Sequence, residues 1–326
     1  MKAGSREARR DPHRPRALTI RHIVGWTLAV CGTAYLVWKL HAQWDDLRTV
    51  DWHVGWLTIL AVPAVMAGQW LVGLTVATCL AYTRARPSTG RVVGIYLISQ
   101  AAKYLPAGGV LNISTQTVLL SRLDGVTVKA SVFGVGAALA IVISSAVSAF
   151  GLASFADPDA GVYSRLAVLA LPAALAALRS AWFWAIAARV LRRRTGDTSA
   201  AERRRPPFRV TVLLALQGLA TWVLLGGSLA LIAAENTPVS PMTAVRLCGL
   251  MAASWVVGVV SIGVPAGIGV RDSFLMILLQ RVLPNPWPVA IPVISRLVWV
   301  VADLANLVPG LLLHRARGMA SKDGTP

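Results

Sequence analysis

The sequence predicts an all-α protein, a polytopic membrane helix bundle of about eight spans, with broken or re-entrant helices near 92–120 and, as a second candidate, 264–283. Three observations lead there. Of 326 residues, 56% are hydrophobic and only 14% are charged, whereas a soluble domain carries about a quarter charged residues. Apolar stretches recur along the whole chain, which describes one bundle in a bilayer and not a soluble core with an anchor. The 32 Lys and Arg far outnumber the 14 Asp and Glu, and they gather between apolar stretches as cytoplasmic loops do. No stretch is long and polar enough to build a basic surface for nucleic acid, so none is expected as a partner.

Residues 1–22 form a basic arm, expected to be disordered and cytoplasmic; 23–313 form a single transmembrane bundle; 314–326 form a basic cytoplasmic tail. The run "IVGWTLAVCGTAYLVW" (23–38) has no small-residue cleavage site after it and reads as a retained first span. Span two covers 54–80, span three 129–152, span four 164–190, span five 210–234, span six 243–263, span seven 267–283 and span eight 288–313. Twelve Trp are expected to form interface belts. Loops 82–91, 121–129 and 191–209 are basic, which places them, both termini and the cell membrane's cytoplasmic face together.

Because 82–91 and 121–129 share a side, the segment between them must enter and leave there. It holds "KYLPAGG" at its centre. Two half-length helices folded back into the membrane fit its length; two thin full spans are the alternative. Span seven is also short, and were it to dip without crossing, parity would send the basic tail to the far side.

The two breaks are alike. "YLPAGGVLN" (104–112) and "GVPAGIGVRD" (263–272) share Pro-Ala-Gly, then Gly-Val, one in each half of the chain. Pro106 and Pro265 each remove a backbone donor, while Gly108, Gly109, Gly267 and Gly269 relax the steric limits, so the helix stops and restarts. A restarted helix exposes unpaired N–H groups at its positive end, and an anion satisfies them. Lys103 precedes the first break; Arg271 and Asp272 follow the second. A charge at mid-bilayer costs roughly 2.5–3.5 kcal/mol, so its retention suggests use. Snorkelling of Arg271 and Asp272 at an interface is the competing account. Asp272 is expected to cap the helix or hold Arg271.

In span eight, Arg296 and Asp303 share one face and Asn306 extends it. They stand too far apart to pair, so Asp303 is expected to pair with Lys103 or Arg271, and it is the first candidate for a proton carrier. Gln100, Asn112 and Gln116 surround Lys103 and suggest a wet cavity. Cys31, Cys79 and Cys248 read as small core residues; with no CxxC and no helical His spacing, neither metal nor cofactor is expected. No Gly-Lys-Ser/Thr phosphate loop occurs, so ATP hydrolysis is not expected.

The segments "SQAAKYLPAGGVLN", "LLSRLDGV", "GVPAGIGVRDSFL" and "RLVWVVADLANLVPG" together resemble the lysylphosphatidylglycerol synthase transmembrane region, a flippase-like integral membrane family, over nearly all of residues 20–315. Ala107 and Asp272 stand where that family often has Gly and Glu. In the full-length synthases a soluble domain transfers lysine from tRNA to a lipid head group; this chain stops at Pro326, so that enzymatic step is not expected. The resemblance implies binding and movement of a lipid with a polar head. The expected partners are membrane lipids of anionic phospholipid or polyprenyl-phosphate type, with Lys103, Arg271 and Arg296 at the head group. The alternative is a non-transporting membrane partner of a lipid-linked glycosyltransferase or other lipid-modifying enzyme.

Overall fold

A computed structural model describes residues 54–81, 87–105, 108–180, 206–261 and 267–315, with isolated positions at 34, 38, 41 and 45. The expected basic arm, most of the first span, and residues 316–326 of the tail lie outside these residues, as do Pro106 and Pro265. Among the described residues every regular element is helical: α1 (Trp56–Ala81), α2 (Thr89–Ser99) with a 3-10 extension (Gln100–Tyr104), α3 (Gly108–Ser121), α4 (Val128–Ala153), α5 (Val162–Leu166), α6 (Ala170–Arg179), α7 (Phe208–Asn236), α8 (Pro241–Val260), α9 (Val270–Leu279) and α10 (Trp287–Arg315).

Six helical runs are long and apolar enough to cross a bilayer: α1, α4, the continuous run through α5 and α6, α7, α8 and α10. The protein is thus an all-α, multi-pass membrane bundle. Of the eight expected spans, most of the first lies outside the described residues, the sixth (α8) is long enough to cross but folds back, and the seventh is not a span. Its helix, α9, has ten residues and reaches only ~15 Å, half the hydrocarbon thickness.

Side-chain caps start several helices. Thr127 accepts from Ala130 N–H at 3.1 Å ahead of α4, and Ser240 accepts from Thr243 N–H at 3.1 Å ahead of α8, where Pro241 takes the first position. The start of α1 is capped from another helix: Glu235 at the end of α7 accepts from Leu57 and Thr58 N–H at 2.7 and 3.1 Å. That contact makes α1 and α7 antiparallel. Small residues then let helices approach closely. Gly226 of α7 faces Cys248 of α8, Gly249 of α8 faces Ala149 to Ala153 of α4, and Gly94 of α2 faces Gly310 of α10.

These contacts sort the helix ends into two groups. At one end lie the end of α1, the start of α2, the end of α3, the starts of α4 and α7, and the end of α10, with Arg91, Arg122, Lys129, Arg179, Arg209 and Arg315 beside Asp124. At the other lie Asp157, Asp159 and Glu235, with Arg165, Arg246 and Arg281. Arg246 pairs there with Asp157 at 3.1 Å.

The two broken segments form hairpins of opposite sense. The first enters at the basic end along α2, turns after Tyr104 and returns along α3. Its α2 lies antiparallel to α10, with Gly94 against Gly310 and Lys103 against Asp303. The second enters at the acidic end along α8. From Gly249, level with the end of α4, nine further residues carry the chain ~13 Å inward to Gly258, which touches Arg271. α9 then returns to the acidic end, where Leu279 belongs to the same buried cluster as Ile232 and Trp287. Since α8 and α9 together return to the side they started from, α10 still ends at the basic face. The parity conflict foreseen for a short seventh span does not arise.

Candidate functional site

Both breaks meet α10 near its midpoint, Val301. Glycine makes the second turn possible: Gly267 and Gly269 hold φ of +66° and +81°, a left-handed backbone that side chains resist. Asp272 at the third position of α9 accepts from Gly269 N–H at 3.4 Å, so of its two expected roles it takes the cap. Arg271 projects from the first turn of α9, only 6% exposed. It is not at an interface. Its Cζ lies 4.3 Å from the centroid of the Trp299 ring, a cation–π stack. Its Nη2 leans on Met251 Sδ at 3.4 Å, a weak acceptor, and its Nε has no hydrogen-bond partner among the described residues.

From the first break, Lys103 Nζ stands 5.6 Å from the same Trp299 ring. It reaches Asp303 at 2.7 and 2.9 Å, one distance to each carboxylate oxygen. This is one of the two pairings expected from sequence. Tyr104 donates to Asp303 as well, and Gln69 Nε2 donates to it at 2.7 Å. Gln69 in turn accepts from Asn306 Nδ2 at 2.7 Å, and Trp70 Nε1 donates to Asn306 at 3.0 Å. A chain of hydrogen bonds thus ties α1, the first break and α10 together.

Beside this network opens a cavity of about 380 Å³. Lys103, Arg271, Arg296, Gln100, Asn112, Gln116, Gly109 and Gly267 line it, so the structure brings eight residues singled out in the sequence to one hollow. Asp272, Asp303, Asn306 and Gly269 stand behind the wall as supports. Gly108 starts α3. Arg296 Cζ lies 5.9 Å from the Tyr104 ring. The rest of the wall is largely apolar, with Val72, Val76, Val135, Ala138, Val142 and Leu225. Trp299 Nε1 and Gln116 Nε2, both buried, also have no hydrogen-bond partner among the described residues. With Arg271 Nε, that leaves three unpartnered donors on residues that line one cavity.

Sequence reasoning missed Gln69, Tyr104 and Trp299. A lone amide inside the apolar α1 was the available signal for Gln69, by the same rule that singled out Asp303. The tryptophans assigned to interface belts include several interior ones. Trp222 is buried and donates to Val142 O at 3.2 Å, and Trp255 and Trp299 line the cavity. Cys79 and Cys248 are free thiols, as expected; Cys31 lies outside the described residues. Among the described residues no group of His, Cys, Asp and Glu could hold a metal.

No protein-family model matches the chain, and no curated protein matches it. The functional reading therefore rests on the site itself.

Proposed function

We propose that the protein binds a membrane lipid with an anionic, phosphate-bearing head group in this cavity and moves it between leaflets, as a flippase-like protein. One observation carries the reading: two cations from two separate helix breaks, Lys103 and Arg271, flank the same indole ring at mid-bundle on a cavity with apolar walls. A guanidinium on the cavity wall suits a phosphate oxygen, and the apolar wall suits hydrocarbon. Hairpins of opposite sense meeting at the midplane are an arrangement that transporters use to hold a central site. The likeness of the two breaks to the lysylphosphatidylglycerol synthase membrane region points the same way. The basic end is assigned to the cytoplasm of the plasma membrane by the charge rule.

Reconstitution tests it. Liposomes containing the protein alone should translocate a fluorescent anionic phospholipid. Arg271→Ala should slow this by about tenfold or more, the value of one lost hydrogen bond to a charged group, while Asp124→Asn at the basic surface should not. Lipid binding without translocation would move the protein to the role of a non-transporting partner of a lipid-modifying enzyme. Absence of both binding and translocation would end the reading.

A further inference from the structure

The cavity lies wholly in the middle and basic half of the bundle. α1 lends it residues from Gln69 onward, and α8 lends only its last two turns and Ser261. The acidic half is filled: Ile232, Met276, Leu279 and Ile291 are fully buried in one cluster there. A ligand leaving the cavity toward the acidic end meets close-packed side chains.

The flank formed by α3 is different. This helix runs from the first break to the basic end, and Gly109, Asn112 and Gln116 line the cavity along one stripe of it, at the three- and four-residue spacing of a helix face. Gln116 is 4% exposed, and its Nε2 is without a hydrogen-bond partner among the described residues. Beside the stripe, Val110 and Ile113 also line the cavity, yet they are 51% and 40% exposed. Here the cavity meets the outer surface of the bundle, which in a bilayer is hydrocarbon. A volume of about 380 Å³ is near the small end for a drug-sized ligand; it holds a head group and not two acyl chains as well.

We propose that α3 is a head-group track, by which the lipid arrives sideways from the leaflet at the basic end. The head group passes along Gln116 and Asn112 to Arg271 and Lys103, and its chains stay outside against Val110 and Ile113. Asn112 and Gln116 stand ~6 Å apart along the axis, close enough for one amide to take over from the next. A polar head in hydrocarbon without such partners is costly to hold there. The chains never leave their apolar surroundings. This inference rests on the lipid-binding reading above and adds the leaflet, the route and the residues that serve it.

The test uses the full chain in phosphatidylcholine vesicles with a minority of phosphatidylglycerol. A benzophenone side chain is installed either at Ile113 or at Val223, an exposed position of α7 outside the cavity. Mass spectrometry then reads the head groups of the captured lipids. At Ile113 phosphatidylglycerol should be enriched by about tenfold over the ratio at Val223, the value of one or two hydrogen bonds to a charged head. The enrichment should fall toward unity in Gln116→Met and in Asn112→Leu, two variants so that one misfolded protein does not decide the matter. Equal head-group ratios at Ile113 and Val223 overturn the track. Thermal stabilisation of the purified protein by short-chain phosphatidylglycerol separates the two claims: stabilisation without enrichment overturns the route alone, and loss of both overturns lipid binding too.

Discussion

Asp303 is the most heavily partnered side chain of the site. Lys103 reaches both its oxygens at 2.7 and 2.9 Å, and Tyr104 and Gln69 also donate to it. In a low-dielectric interior such a pair is costly to break from one side, because the survivor is left charged and alone, whereas removing both partners together is close to neutral. Lys103→Met and Asp303→Leu should therefore each cost about 3–5 kcal/mol, and the double variant should cost clearly less than the two together, the remainder being Tyr104 and Gln69 left without their acceptor. Thermal unfolding of the purified protein in detergent measures it; single costs that simply add in the double variant would show that the two side chains are energetically independent. The pairing was legible in the sequence because a carboxylate inside an apolar helix needs a counter-charge, and few cations stand inside spans. Gln69 was not, because an amide at one point of α1 gives no hint of which distant residue it will bind; only the fold brings it to a partner 234 positions away.

At the scale of elements, the breaks were legible and the packing was not. Proline and glycine act on their own backbone, so "LPAGG" and "VPAGIG" announce a stop wherever they fall. The end of α9 at Leu279 was hidden, since the apolar residues Val282 and Leu283 prolong the pattern past it. Which face of a helix meets which neighbour was hidden for a deeper reason. Lipid is as apolar as a core, so buried and exposed faces carry the same residues and no period survives to be read. Small residues do the sorting instead. A Cβ at Gly94 would stand 2.7 Å from Gly310 O and 3.0 Å from His314 N, both backbone atoms that cannot swing aside. Gly94→Ala should push α2 off α10, cost about 1–3 kcal/mol, and weaken lipid binding by drawing Lys103 from its place. Gly136→Ala is the matched control. It lies within α4 with nothing near the added carbon, and it should gain about 0.5–1 kcal/mol from helix propensity. Thermal midpoints of the two variants should move in opposite directions.

Across the whole molecule, charge and chain path agree. The hairpin of α2 and α3 belongs to the basic end and that of α8 and α9 to the acidic end, so each break is reached from its own side and both arrive at the centre of α10. The two hairpins are thus opposite in sense about the middle of α10, an arrangement that equal, unbroken spans would not give. The positive-inside rule acts on loops near span ends and gives the sense to be tested. With the basic end holding Arg122 and Lys129 beside Asp124, and the other holding Asp157 and Asp159, Asp124 and Asp159 should face opposite sides of the cell membrane. Both are exposed, so each can report by cysteine labelling in a protein whose own Cys31, Cys79 and Cys248 have been replaced by alanine. Asp159→Cys should react with a membrane-impermeant maleimide on intact cells. Asp124→Cys and Thr89→Cys, at the two mouths of the first hairpin, should react only after the cells are opened. The reverse pattern would turn the molecule over and send the α3 track to the outer leaflet; labelling of Thr89→Cys and Asp124→Cys from different sides would mean that the segment between them crosses the bilayer once, and the hairpin would have to be abandoned.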